Sequence, residues 1–93
     1  MRKYEAVFIF LPNEEETRNQ LLDRFKTIIG ENGSLTQVDE WGSRKLAYPI
    51  NDLSDGYYIL LNFEGTPEVV KELDRVAKIS DSIMRHMVIR EDE

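Results

Sequence analysis

The sequence predicts an α+β domain in which a four-stranded antiparallel sheet carries two helices on one face. Three observations support it. Apolar residues run at strand period, then helical period, then strand period twice, then helical and strand period again. The two crossovers required by this order are right-handed in nearly all proteins, which puts both helices on the same side. Pro49, inside the second strand run, has no N–H for a ladder, so its strand belongs at an edge and the first and third belong in the middle.

Taken in order, Tyr4 to Phe10 is rich in aromatic and branched residues and reads as a strand, ended by Leu11-Pro12-Asn13. Asn13 with Glu16 three residues on fits a capping box, and Glu14-Glu15-Glu16 suits the positive end of a helix dipole. Leu21, Leu22, Phe25, Ile28 and Ile29 make that helix's apolar face, and Gly30 and Gly33 mark its end. Leu35 to Ile50 is a long irregular strand, with Gly42 signalling a bulge or bend and Trp41 packing beside it. Asn51 to Gly56 is turn-rich and predicts a hairpin loop. Tyr57 to Phe63 reads as a central strand. Thr66 caps a second helix with Pro67 at its first position, and Val69, Val70, Leu73, Val76 and Ala77 form its buried face. Ile83 to Ile89 is the last strand. This βαββαβ order is the ferredoxin-like arrangement, a single domain over residues 1–90 followed by an acidic tail at 91–93.

Composition narrows the function classes. The 93 residues suffice for one modest core and contain no cysteine, so disulfides and thiolate metal sites play no part. The start shows no cleavable leader, and no apolar stretch approaches the ~20 residues of a membrane span, which predicts a cytosolic protein. There is no phosphate-loop glycine pattern, zinc spacing or serine-centred nucleophile motif. His86 is the single histidine, with no nucleophile in sequence to serve. Three consecutive glutamates on a helix do not share a face, so Glu14-Glu15-Glu16 reads as a solvated helix start and not as a metal site. No cofactor or small-molecule substrate is expected. A ferredoxin-like acylphosphatase would need an anion-cradling loop after the first strand, where this chain has carboxylates.

The net charge of −6 opposes nucleic-acid binding as a bulk property. The distribution favours it, because basic residues group at Arg2-Lys3, Arg44-Lys45 and Arg85-His86, on three different predicted strands that a fold could bring together. Arg44 to Pro49 interleaves cations with Tyr48, a pattern that suits phosphate and an unpaired base. It also suits an edge strand protected from aggregation by charge and proline. Strand alternation assigns Tyr4, Ala6, Phe8, Phe10, Tyr57, Ile59, Leu61 and Phe63 to the helix side. Val7, Ile9, Tyr58 and Leu60 then line an open face fit for a protein partner, to which the last strand can add Met87 and Ile89. A charged residue at Leu60 is expected to weaken that partner while the domain stays folded. The aromatic third strand only faintly echoes an RNA-recognition motif, since Asp55 and Ile59 replace its basic and aromatic positions.

Four segments together resemble the S-six family of bacterial small-subunit ribosomal proteins. They are Met1-Arg2-Lys3-Tyr4-Glu5, Trp41-Gly42-Ser43-Arg44-Lys45-Leu46-Ala47-Tyr48-Pro49-Ile50, Gly56-Tyr57-Tyr58 and Arg85-His86-Met87-Val88. The resemblance runs to about Arg90, with Arg-Lys-Leu-Ala-Tyr-Pro its most specific part. It implies a ribosome-bound protein, not an enzyme, that binds the central domain of 16S ribosomal RNA with the small basic ribosomal protein S-eighteen. By position it implies RNA contacts from Arg2, Lys3, Tyr4, Arg44, Lys45, Tyr48, Arg85 and His86. The sequence departs from relatives at Met84 and at Lys78-Ile79-Ser80-Asp81, which are less basic here. The reading from a different class is a regulatory module that dimerises through its open face.

Overall fold

In the computed structural model, residues 2–50 and 53–91 are described. The chain forms β1 (Arg2–Phe10), α1 (Glu15–Glu31), β2 (Gly33–Ile50), β3 (Leu53–Gly65), α2 (Pro67–Ile79) and β4 (Ile83–Arg90). The strands make one antiparallel sheet in the order β2-β3-β1-β4. β1 and β3 are central because they are the two runs apolar on both faces. They pair without a break from Arg2↔Gly65 to Phe10↔Tyr57. β2, with its proline, takes an edge as its missing donor requires.

Both helices pack on one face. The even-numbered residues of β1, from Tyr4 to Phe10, are buried there with Ile59, Leu61 and Phe63. α1 contributes Leu22, Phe25, Ile28 and Ile29, and α2 contributes Val69, Leu73, Val76 and Ala77. Phe8 stacks on Phe25 with ring centroids 4.5 Å apart and planes at 16°, tying β1 to α1. Each fully buried phenylalanine contributes roughly 2–3 kcal/mol by removing apolar surface from water.

Two local expectations are corrected. α1 starts after Glu14, which forms no side-chain cap, so the Asn13–Glu16 capping box is not made. The Glu14 carboxylate instead accepts a 2.7 Å bond from the Ser82 hydroxyl, fastening the helix start to the turn before β4. α1 ends at Glu31, between Gly30 and Gly33, as those glycines predict. β3 begins at Leu53, so most of the predicted 51–56 loop is strand. Arg44↔Gly56 and Lys45↔Asp55 extend the ladder past the end of β1. Asn51 and Asp52 of that loop, and Asp92 and Glu93 of the predicted tail, lie outside the described residues. Among the described residues no helix is long and apolar enough to cross a membrane.

The bend expected at Gly42 is a β-bulge. Glu40 pairs with Ile59 and Gly42 with Tyr58, leaving Trp41 as the extra residue. Gly42 has φ +83°, the left-handed region, while a Cβ there would meet nothing within 4 Å. The requirement is conformational and not spatial. Gly42→Ala should therefore lower stability by about 1–2 kcal/mol, read as a reduced urea midpoint with an unchanged slope.

Candidate nucleic-acid interface

The register settles what the uncovered sheet face displays. Ile9 pairs with Arg85, Val7 with Met87 and Glu5 with Ile89, so Arg85, Met87 and Ile89 share the open face with Val7, Ile9 and Tyr58. His86 and Val88, opposite Phe8 and Ala6, fall on the helix side. Met87 and Ile89 are 54% and 44% exposed, a degree unusual for such residues unless something covers them. Val7, Ile9, Arg85 and Met87 line a groove of about 250 Å³ between β1 and β4.

The far arm of the β2–β3 hairpin overhangs one end of this face. Between Lys45↔Asp55 and Ile50↔Leu53, β2 spends four residues where β3 spends one, and 46–49 bows out of the ladder. Gly56 permits a close approach below it, since a Cβ there would sit 2.5 Å from Ile9 Cγ2 and 3.3 Å from Leu46 Cδ2. The result is a contact between the two edge strands. Arg85 Nη2 of β4 donates to the Tyr48 hydroxyl of β2 at 3.2 Å, and its guanidinium carbon lies 5.3 Å from the Tyr48 ring centroid. Tyr48 is still 59% exposed. Arg44 belongs to the same end, opposite Gly56, and its Nε donates to the Trp41 carbonyl at 3.4 Å.

Trp41 packs beside the bend as expected, and it does so on the open face, 47% exposed and stacked on Tyr58 at 6.1 Å and 16°. Its ring also lies 5.9 Å from the Arg44 guanidinium carbon. The signal for this was the glycine after it: a bulge at Gly42 adds one residue and puts Trp41 on the side of Tyr58.

The structure brings together Arg44, Tyr48 and Arg85, and separates the rest of the predicted set. Lys45 follows Arg44 and by alternation points to the other side of the hairpin, opposite Asp55. Arg2 and Lys3 are exposed at the opposite end of β1, about 20 Å from Ile9 along an extended strand. Tyr4 is 7% exposed and stacks on Phe63 at 5.4 Å, so its ring belongs to the core and offers no base a surface. His86 turns its ring toward Phe8 and bonds Asp74 of α2 at 2.6 Å, an interior clamp to the helix and not an outward contact. Leu60 lies on the predicted face but is only 9% exposed. A charge there would be buried without a partner, so the expectation that the domain tolerates it is withdrawn.

Charge is sorted between the faces. Among the described residues, the ion pairs are Arg75–Glu72, Lys78–Asp74 and His86–Asp74, all involving the helix layer. Arg2, Lys3, Arg44, Lys45 and Arg85 form none with any described residue. One buried cation went unforeseen: Arg18 of α1 is 7% exposed, with its guanidinium carbon 3.6 Å from the Tyr57 ring centroid. Burial and the hydrogen bond to Glu40 raise the Tyr57 hydroxyl above its ordinary pKa, so it stays a donor. An arginine at helical spacing carries no mark of burial in sequence, and its partner ring is set by the fold.

A family model described as Ribosomal protein S6 matches residues 3–90. The chain is 56% identical over 91 residues to the small ribosomal subunit protein bS6 of Alkaliphilus oremlandii, covering 97% of each chain. It is 48% identical to the bS6 of Caldanaerobacter subterraneus subsp. tengcongensis over the full length of both. Among solved structures it is similar to the 30S ribosomal protein S6 of Thermotoga maritima, with TM-score 0.88 and 34% identity over 97% of this chain and 87% of that one. The C-terminal domain of the MgtC protein of Mycobacterium tuberculosis shares the fold alone, with TM-score 0.65 at 10% identity.

Two outcomes test this geometry. Hydrogen bonds from His86 and then Lys78 hold the Asp74 carboxyl below the usual carboxylate range. A depressed acid stabilises above its unfolded value of about 4 and loses that contribution as pH falls through its lower folded value. Asp74→Ala should therefore have a lower Tm than wild type at pH 7, with the gap closing below about pH 4. Leu60→Glu should unfold the domain, whereas Met87→Glu should leave the circular dichroism spectrum and Tm nearly unchanged.

Proposed function

The chain belongs to the ribosomal protein S6 family, and on that premise we propose that it binds the central domain of 16S ribosomal RNA jointly with the small basic ribosomal protein S-eighteen. As a member of this family it is a structural protein of the small ribosomal subunit and not an enzyme. The observation that carries the RNA reading is the joining of Arg85 to Tyr48 across the sheet, with Arg44 at the same end and no carboxylate among the described residues paired to either arginine. Unpaired guanidiniums release counterions when they meet phosphate, and they can grip it through two hydrogen bonds. Tyr48 adds an exposed ring beside them. Contacts of this kind read backbone and shape in a folded junction more than base sequence.

The net charge of −6 divides the work between two proteins. The basic partner supplies most of the phosphate neutralisation, and this chain supplies a few placed cations and a docking face. Val7, Ile9 and Tyr58, with Met87 and Ile89 beside them, form its apolar seat, and Glu5 on the same face attracts a basic protein. Leu60 is the floor beneath this seat. Arg2 and Lys3, at the other end of β1, address a separate stretch of RNA. Ribosomal membership leaves no role that requires the dimerising regulatory module.

Binding to a central-domain 16S fragment, with and without S-eighteen across a salt series, tests the proposal. Binding should appear or tighten strongly only with the partner and fall with salt. Arg44→Ala should weaken it and reduce the salt slope by about one. Met87→Glu should weaken capture of S-eighteen in the absence of RNA. Folded components that do not bind in any combination would refute joint assembly.

A further inference from the structure

Trp41 is a large apolar ring that the core does not use. It is absent from the buried cluster and nearly half exposed, yet its position is fixed. Tyr58 supports it at 6.1 Å with nearly parallel planes, and Arg44, tethered to the Trp41 carbonyl, lies 5.9 Å from the ring. The glycine at φ +83° that follows exists to make the bulge that puts it there. An indole held this way loses little side-chain entropy when a flat ligand lands on it.

We propose that Trp41, braced by Tyr58 and Arg44, is a stacking platform for one unpaired RNA base, an assignment that rests on the RNA reading above. The chemistry favours a base over a protein side chain. Every base has a π-face, and stacking on aromatic residues is sequence-tolerant. Arg44 at the ring attracts nucleic acid and repels a basic protein. Asp39, opposite Leu60 on this face and bonded by Gln37 Nε2 at 2.9 Å, disfavours a phosphate nearby. What this spot offers RNA is therefore the ring.

Trp41 is the single tryptophan of the chain, so its emission reports directly. The protein is titrated with S-eighteen alone, then with S-eighteen and the central-domain 16S fragment, and the Trp41→Phe protein in the same mixtures supplies the blank. Emission should be quenched only when RNA is present. Trp41→Ala should weaken RNA binding about tenfold and leave the salt slope unchanged, because no phosphate contact is lost, while Trp41→Phe recovers most of the affinity. RNA bound with Trp41 emission unchanged would overturn the stacking role and leave RNA binding standing. Equal quenching by S-eighteen alone would assign the ring to the protein partner and overturn the proposal. Absence of RNA binding by the wild-type protein would overturn both.

Discussion

Phe8 lies stacked on Phe25 at 4.5 Å, and around this contact the other layers are arranged. In the sheet Phe8 sits between Ile59 and His86, so its ring is flanked by both strands that neighbour β1. His86 lies 6.4 Å away with its plane at 18°, and is held from α2 by Asp74. One buried ring thus joins three strands to both helices. Because side chains alternate strictly along a strand, fixing Phe8 beneath α1 fixes Val7 and Ile9 on the other side. The open face exists because the covered one is so firmly specified.

Much of this was legible in the residues. Element order, the edge position of the proline strand and the buried faces of both helices follow from periods that solvent imposes on any chain. Where the reading failed, a local rule met a contact between distant residues. The Asn13–Glu16 box lost to a bond between Glu14 and Ser82, 68 residues apart. Tyr4 illustrates two readings in conflict: alternation put it under the helices, family resemblance put it on RNA, and its burial agrees with alternation. Trp41 and Tyr48 were harder. Both lie where β2 departs from period two, so no alternation argument carries across them. The mixed pattern of β4 resolved only once its register with β1 was known.

The electrostatics follow the same division. Several acids of this acidic chain have work elsewhere: Glu72 and Asp74 on α2, Glu14 at the turn before β4, Glu40 on the Tyr57 hydroxyl. The exposed pairs among them are worth little as stabilisers. A protein can be acidic as a whole and still present local positive potential, because screening confines each charge's reach to about 10 Å.

The contact between Tyr48 and Arg85 joins the two edges of the sheet across 37 positions of sequence. During synthesis the first of these residues emerges long before the second. An unfinished chain that has made β1, α1, β2 and β3 owns Arg44 and Tyr48 but lacks the β4 side chain that bonds Tyr48 across the sheet. The cation that completes this end arrives with the last strand, after α2 has formed. The end of the sheet at which Arg44, Tyr48 and Arg85 meet is therefore complete only once the last strand has been made.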